Sequence, residues 1–134
     1  MSMRRALIAI PLCSGCLVDL FGLDTTTVSC DLRTAGLEPR EYCQEWRELL
    51  DNPGSVGGAE AICATLQADF AETPCPEPER IVGGCFIGVL GDGSESYWWF
   101  YDVDLDGNAV TADDVRTDCE ASGDEYVDWT EAPS

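Results

Sequence analysis

Histidine and lysine are both absent from this chain of 134 residues, and its only basic side chains are seven arginines. Without histidine there is no general base poised near neutral pH and no imidazole ligand for a metal. Without lysine there is no amine for imine chemistry. Set against 26 acidic side chains, the seven arginines leave a formal charge of −19. Such a chain repels phosphate backbones, which excludes nucleic acid as a partner, and its charge would not hold it on an anionic bilayer. Long hydrophobic runs are missing too. The apolar stretch from Ala6 to Leu12 is too short to span a membrane as a stable anchor. Yet 45% of residues are hydrophobic and the charges are interspersed, so the chain can bury a modest core.

Cysteine, by contrast, is plentiful, with eight in the chain. Arg4 and Arg5 followed by Ala6 to Leu12 form a secretory signal pattern. The pattern ends in Cys13-Ser14-Gly15-Cys16, which resembles a bacterial lipobox: small residues just before a cysteine that receives diacylglycerol. Leucine stands at Leu12, one place further back than usual. The resemblance implies a signal peptide over 1–15 and a lipidated Cys16. It places the chain at the cell envelope, on a periplasmic or surface face, with the bilayer as its partner through the acyl anchor. Residues 16–37 read as a tether and 38–134 as one disulfide-rich α+β domain. With Cys13 lost and Cys16 acylated, Cys30, Cys43, Cys63, Cys75, Cys85 and Cys119 remain. An even set in an exported chain reads as three disulfides, of which six cysteines allow 15 pairings. Their spacings of 13, 20, 12, 10 and 34 do not match a zinc knuckle.

The expected architecture is about three helices packed on a short antiparallel sheet. "LEPREYCQEWRELLDNPG" (37–54) reads as a helix, with Pro39 in its first turn, Asn52-Pro53-Gly54 as a stop, and Tyr42, Trp46, Leu49 and Leu50 at helical spacing. "GGAEAICATLQADF" (57–70) reads as a second helix, and "TADDVRTDCEASG" (111–123) as a third, with Thr111 as N-cap and Gly123 as stop. "ETPCPEPE" is a proline-broken loop pinned by Cys75. A hairpin over about 81–90 and 96–103 turns at "GDGSES", and a short strand closes the domain at about 125–129. Cys63 and Cys119 are each followed seven residues later by an aromatic, Phe70 and Tyr126. This faint echo suggests that each helix is bolted to the sheet in a similar way. The order helix-Cys63, "PCP" at Cys75, "VGGC" at Cys85, aromatic strand, helix-Cys119 and glycine before "YVDW" resembles small cysteine-rich exported lipoproteins of myxobacteria and their relatives. It covers roughly residues 58 to 130 and implies export, disulfides and a small α+β domain, with no activity to carry over.

"YWWFYDVDLDGN" (97–108) holds the most distinctive side chains. Asp102, Asp104, Asp106, Asn108 and Asp113 resemble a calcium loop of the EF-hand or dockerin kind, with Gly107 at its sharp turn, which would make calcium a weakly bound cofactor. The same residues also read as a tight turn running into the first turn of a helix. On a strand, Tyr97, Trp99 and Tyr101 face one side, as core or as a stacking platform for a ligand, while Trp98 and Phe100 face the other. No nucleophile has an evident activating partner. The sequence therefore points to a non-catalytic envelope module that binds an envelope protein or glycan or serves a structural role. A secreted inhibitor of a protease or hydrolase is the first alternative, and a small carboxylate-dependent glycan hydrolase the second.

Overall fold

Four long segments rich in β-branched and aromatic residues build the centre of a six-stranded sheet in the computed structural model. The structure describes residues 24–35, 40–89, 93–122 and 127–133. The expected signal peptide, Cys16, Gly123 and Tyr126 lie outside them. Among the described residues the elements are β1 (Thr25–Asp31), β2 (Arg40–Leu50), α1 (Pro53–Thr65), β3 (Asp69–Ala71), a 3-10 turn (Pro78–Arg80), β4 (Ile81–Val89), β5 (Glu95–Asp104), α2 (Ala112–Ala121) and β6 (Asp128–Thr130). Neighbouring strands are antiparallel, in the order β3-β1-β2-β5-β4-β6.

The expectation of about three helices on a short sheet is thereby corrected. The molecule is mostly antiparallel sheet with two helices among the described residues, and α+β with disulfides fits it only loosely. Residues 40–50 of the first expected helix, 37–54, form the central strand β2, and its expected stop at Asn52-Pro53-Gly54 instead opens α1, with Asn52 as N-cap. Tyr42 and Trp46 are four residues apart, a separation that puts side chains on one face of a strand as well as of a helix. Leu49 should then fall on the opposite face. A bulge intervenes, because Thr26 pairs with Leu49 and Val28 with Trp46, so β2 carries one extra residue. Glu48 takes up that residue at φ 56°, its carboxylate accepting from Thr25 Oγ1 at 3.2 Å. Leu49 thus returns to the core beside Trp46, and a bulged strand mimics a helical stripe. Two boundaries move as well. The expected tether already contains β1, and the end of the second expected helix is strand β3.

Among the described residues three disulfides form: Cys30–Cys63, Cys43–Cys75 and Cys85–Cys119. The first joins β1 to α1 and the third joins β4 to α2. Because Cys30 pairs with Gln44, Gln44 with Trp98 and Trp98 with Cys85, both bonds rise from one face of the sheet. Both helices therefore lie on that face. Cys43, paired with Trp99, points the other way and holds the loop around Cys75.

These pairings expose an internal repeat. Residues β1-β2-α1-β3 form one ββαβ unit and β4-β5-α2-β6 a second, each with its last strand added outside its first. Cys30 pairs with Phe70 in the first and Cys85 with Trp129 in the second. The units meet through β2 and β5, whose equivalent residues Gln44 and Trp98 are direct cross-strand partners, so a pseudo-two-fold axis passes between them. Its other mates are Trp46, packed in the α1 core with Val56, Ala59 and Cys63, and Phe100, packed in the α2 core with Val115 and Cys119. Gly83 and Gly84 fit the second unit together. A methyl group on Gly83 would fall 2.1 Å from the Trp129 ring, and one on Gly84 would fall 2.5 Å from the Trp98 carbonyl oxygen and 2.6 Å from the Trp99 ring.

Candidate functional site

Tyr97, Trp99 and Tyr101 share the helix-free face, where the protein's own groups occupy them. Tyr97 and Trp99 stack at 5.2 Å and 5°, and the Arg47 guanidinium lies over both, 4.6 and 5.4 Å from the ring centres. Tyr101 is buried between Arg33 at 4.6 Å and Arg80 at 5.5 Å, and its hydroxyl donates to the Pro76 carbonyl at 2.6 Å. Beneath Arg47, buried Glu45 accepts from the Cys75 N–H at 2.9 Å and from Arg47 Nε at 2.5 Å. These contacts fasten the proline-rich loop to the sheet, with Arg33 pairing Asp31 and Glu77. Burial first, then nearby carboxylates, pushes the Tyr101 and Tyr97 phenols up from their ordinary value. Cations and a loop thus cover the rings that the sequence offers as a platform.

The acidic stretch leaves β5 through a three-residue hairpin loop. Gly107 N–H donates to the Asp104 carbonyl at 3.0 Å, Asp104 N–H to the Asn108 carbonyl at 2.9 Å, and Gly107 sits at φ 85°. Asp104 Oδ1 accepts from the N–H groups of Asp106 and Asn108 at 2.9 and 2.8 Å, which holds its carboxyl below the usual range. Asp102 Oδ1 accepts from Arg80 Nε at 3.1 Å. Asp106 and Asp113 are exposed. Asp113 stands in the first turn of α2, while Asp114 closes a capping box with Thr111. Among the described residues no group of three or more His, Cys, Asp or Glu side chains is placed to hold a metal.

The open site is on the helix-bearing face. Trp98, on the pseudo-two-fold axis, is 38% exposed, whereas Trp46 and Trp99 are buried and Trp129 packs against the α2 core. Tyr42 flanks it, its ring centre 6.0 Å away and inclined by 60°, and stacks on Phe100 at 5.7 Å and 24°. Together the three rings floor a groove of about 720 Å³ walled by Asp118, Cys119 and Ala121 of α2 and by Ser122 just after it. Arg40 and Asp104 close one end, where Arg40 Nε donates to Asp118. Asp118, then Asp114 and Asp104, raise the Arg40 pKa above its ordinary value. Arg40 and Asp118 do not stand out in the sequence, where Tyr42 reads as part of a helical stripe. Trp98 is legible as facing away from Trp99, but its exposure follows from where two helices stop. No family model, curated protein or solved structure matches the chain.

Proposed function

We propose that the chain is an exported, non-catalytic binding module of the cell envelope, anchored through a lipidated Cys16, with the Trp98 groove as its ligand site. The observation that carries the reading is the exposed indole on an aromatic floor at the junction of the two units. Contiguous apolar surface in a concave site marks recognition more than singly exposed residues do. Three disulfides are compatible with an oxidising compartment, and no helix among the described residues is long and apolar enough to cross a membrane. The test compares retention of envelope components by wild type and Trp98→Ala, with Val89→Ala as a second exposed apolar site on β4. Loss in the first variant alone supports the groove, and equal retention in all three removes it. Intact mass of the membrane fraction should show loss of residues 1–15 plus acyl chains, and Cys16→Ala should release the protein into soluble fractions.

A second reading, a secreted inhibitor, draws on the loop around Cys75. A disulfide, the Tyr101 hydroxyl and two arginines pin it, and Glu77 is held at φ 50°. Rigid presented loops suit that task. Inhibition of an envelope protease, lost on changing Glu79, would favour it over the groove.

A further inference from the structure

We propose that the Trp98 groove binds an organic cation, an ammonium group on a short apolar stem, held between the indole and phenol rings and the acidic end of the groove. This rests on the groove being the ligand site and adds the class of ligand. The Trp98 and Tyr42 rings, 6.0 Å apart and inclined by 60°, line one cavity, and a cation is drawn to aromatic ring faces. The charge at the closed end points the same way. Among the described residues Asp118 and Asp104 line the groove beside one guanidinium, Arg40, so carboxylates outnumber the resident cation there by two to one. On the opposite face Arg47, Arg33 and Arg80 already sit over aromatic rings beside carboxylates. The groove repeats that combination of π face and carboxylate, but among the described residues no guanidinium lies over Trp98 or Phe100. A neutral sugar would also stack on Trp98, yet it would make no use of the charge. The long-range field of a chain with net charge −19 favours the cation further.

The experiment titrates the disulfide-bonded, isotope-labelled protein with benzyltrimethylammonium chloride and follows the indole N–H resonances of its four tryptophans. Sodium chloride at matched ionic strength and methyl glucoside are run in parallel. The Trp98 resonance should move saturably with the ammonium alone, while those of Trp46 and Trp99 stay. Trp98→Ala, followed through the amides of Tyr42 and Phe100, should weaken binding about tenfold or more. Asp118→Asn should weaken it severalfold. Glu79→Gln, an equal change of charge in the loop of the opposite face, should leave it unchanged. Capped lysine and choline, titrated alongside, distinguish a protein side chain from a headgroup as source, and saturation by either supports the assignment. Saturation by methyl glucoside instead overturns the cation and leaves the binding groove standing. A response equal to that of sodium chloride, or equal in Glu79→Gln and Asp118→Asn, overturns it as simple screening.

Discussion

Glu45 is a buried carboxylate that ties two parts of the molecule together. It is 2% exposed, and its two oxygens serve different elements, one the Cys75 N–H of the loop and one Arg47 of its own strand. Glu45→Ala would leave a buried N–H without an acceptor and Arg47 without its carboxylate. Urea unfolding should show a loss of about 2–4 kcal/mol. Glu45→Gln keeps an acceptor for Cys75 and should cost about half as much, so equal losses in the two variants would mean that packing, not bonding, is what Glu45 supplies. Asp104 makes the opposite case. Its inner oxygen is satisfied by two backbone N–H groups, and Asp102 is taken by Arg80. Calcium and magnesium at matched ionic strength should therefore raise the melting temperature alike, by screening the net negative charge. A shift specific to calcium and abolished by Asp104→Asn would restore the calcium-loop reading.

At the scale of elements, the bulge in β2 holds a glutamate where glycine is most at ease. Glu48→Gly relieves the left-handed backbone and loses only an exposed bond to Thr25, so it should stabilise by about 0.5–1 kcal/mol, whereas Glu48→Val should destabilise by more than that. If both variants lower the melting temperature equally, the bulge is held by its side chain rather than merely tolerating it. The same residue explains what could not be read from the sequence. The β-rich run before the Gly-Asp-Gly-Ser turn and the aromatic run after it are local signals, so the β4–β5 hairpin is legible. Tyr42, Trp46 and Leu49 fit a helix until a partner strand supplies the register in which one residue is surplus. Proximity in space, not periodicity, decides that case. The groove was out of reach for a related reason. Its floor joins Tyr42 of the misread strand to Trp98 and Phe100, and its wall comes from α2. The internal repeat was nearly legible. The mate of Phe70 is Trp129, not Tyr126, because more residues separate α2 from β6 than α1 from β3.

For the molecule as a whole, pH should act through phenols as well as carboxylates. Tyr97 and Tyr101 are held protonated in the folded state, chiefly by burial, while in the unfolded chain they ionise near pH 10. The unfolded state then binds fewer protons than the folded one, so the stability they contribute is complete below about pH 10 and declines as pH rises beyond it. Melting temperatures between pH 8 and 11 should fall along this course, and Tyr101→Phe should flatten it. An unchanged slope in that variant would assign the loss to other groups. Asp104 and Asp114, both depressed by backbone N–H donors, act at the other end, and their contribution fades as pH falls below the ordinary carboxylate range.

The order of the cysteines along the chain sets a problem in time. Cys30 and Cys43 leave a ribosome or a translocation pore before Cys63 and Cys75, and the native bonds Cys30–Cys63 and Cys43–Cys75 interleave. An oxidant that joins cysteines as they emerge would couple Cys30 to Cys43 and Cys63 to Cys75, and both couplings would have to be undone by exchange. Only Cys85 and Cys119 are consecutive and native at once. The second unit can thus close on simple oxidation, whereas the first needs a thiol catalyst that reshuffles. Refolding of the reduced chain with an oxidant alone should trap isomers that share Cys85–Cys119 but are scrambled elsewhere, and adding a disulfide isomerase should resolve them. Peptide mapping that found all three native bonds without the isomerase would show that the sheet assembles before its first sulfurs meet.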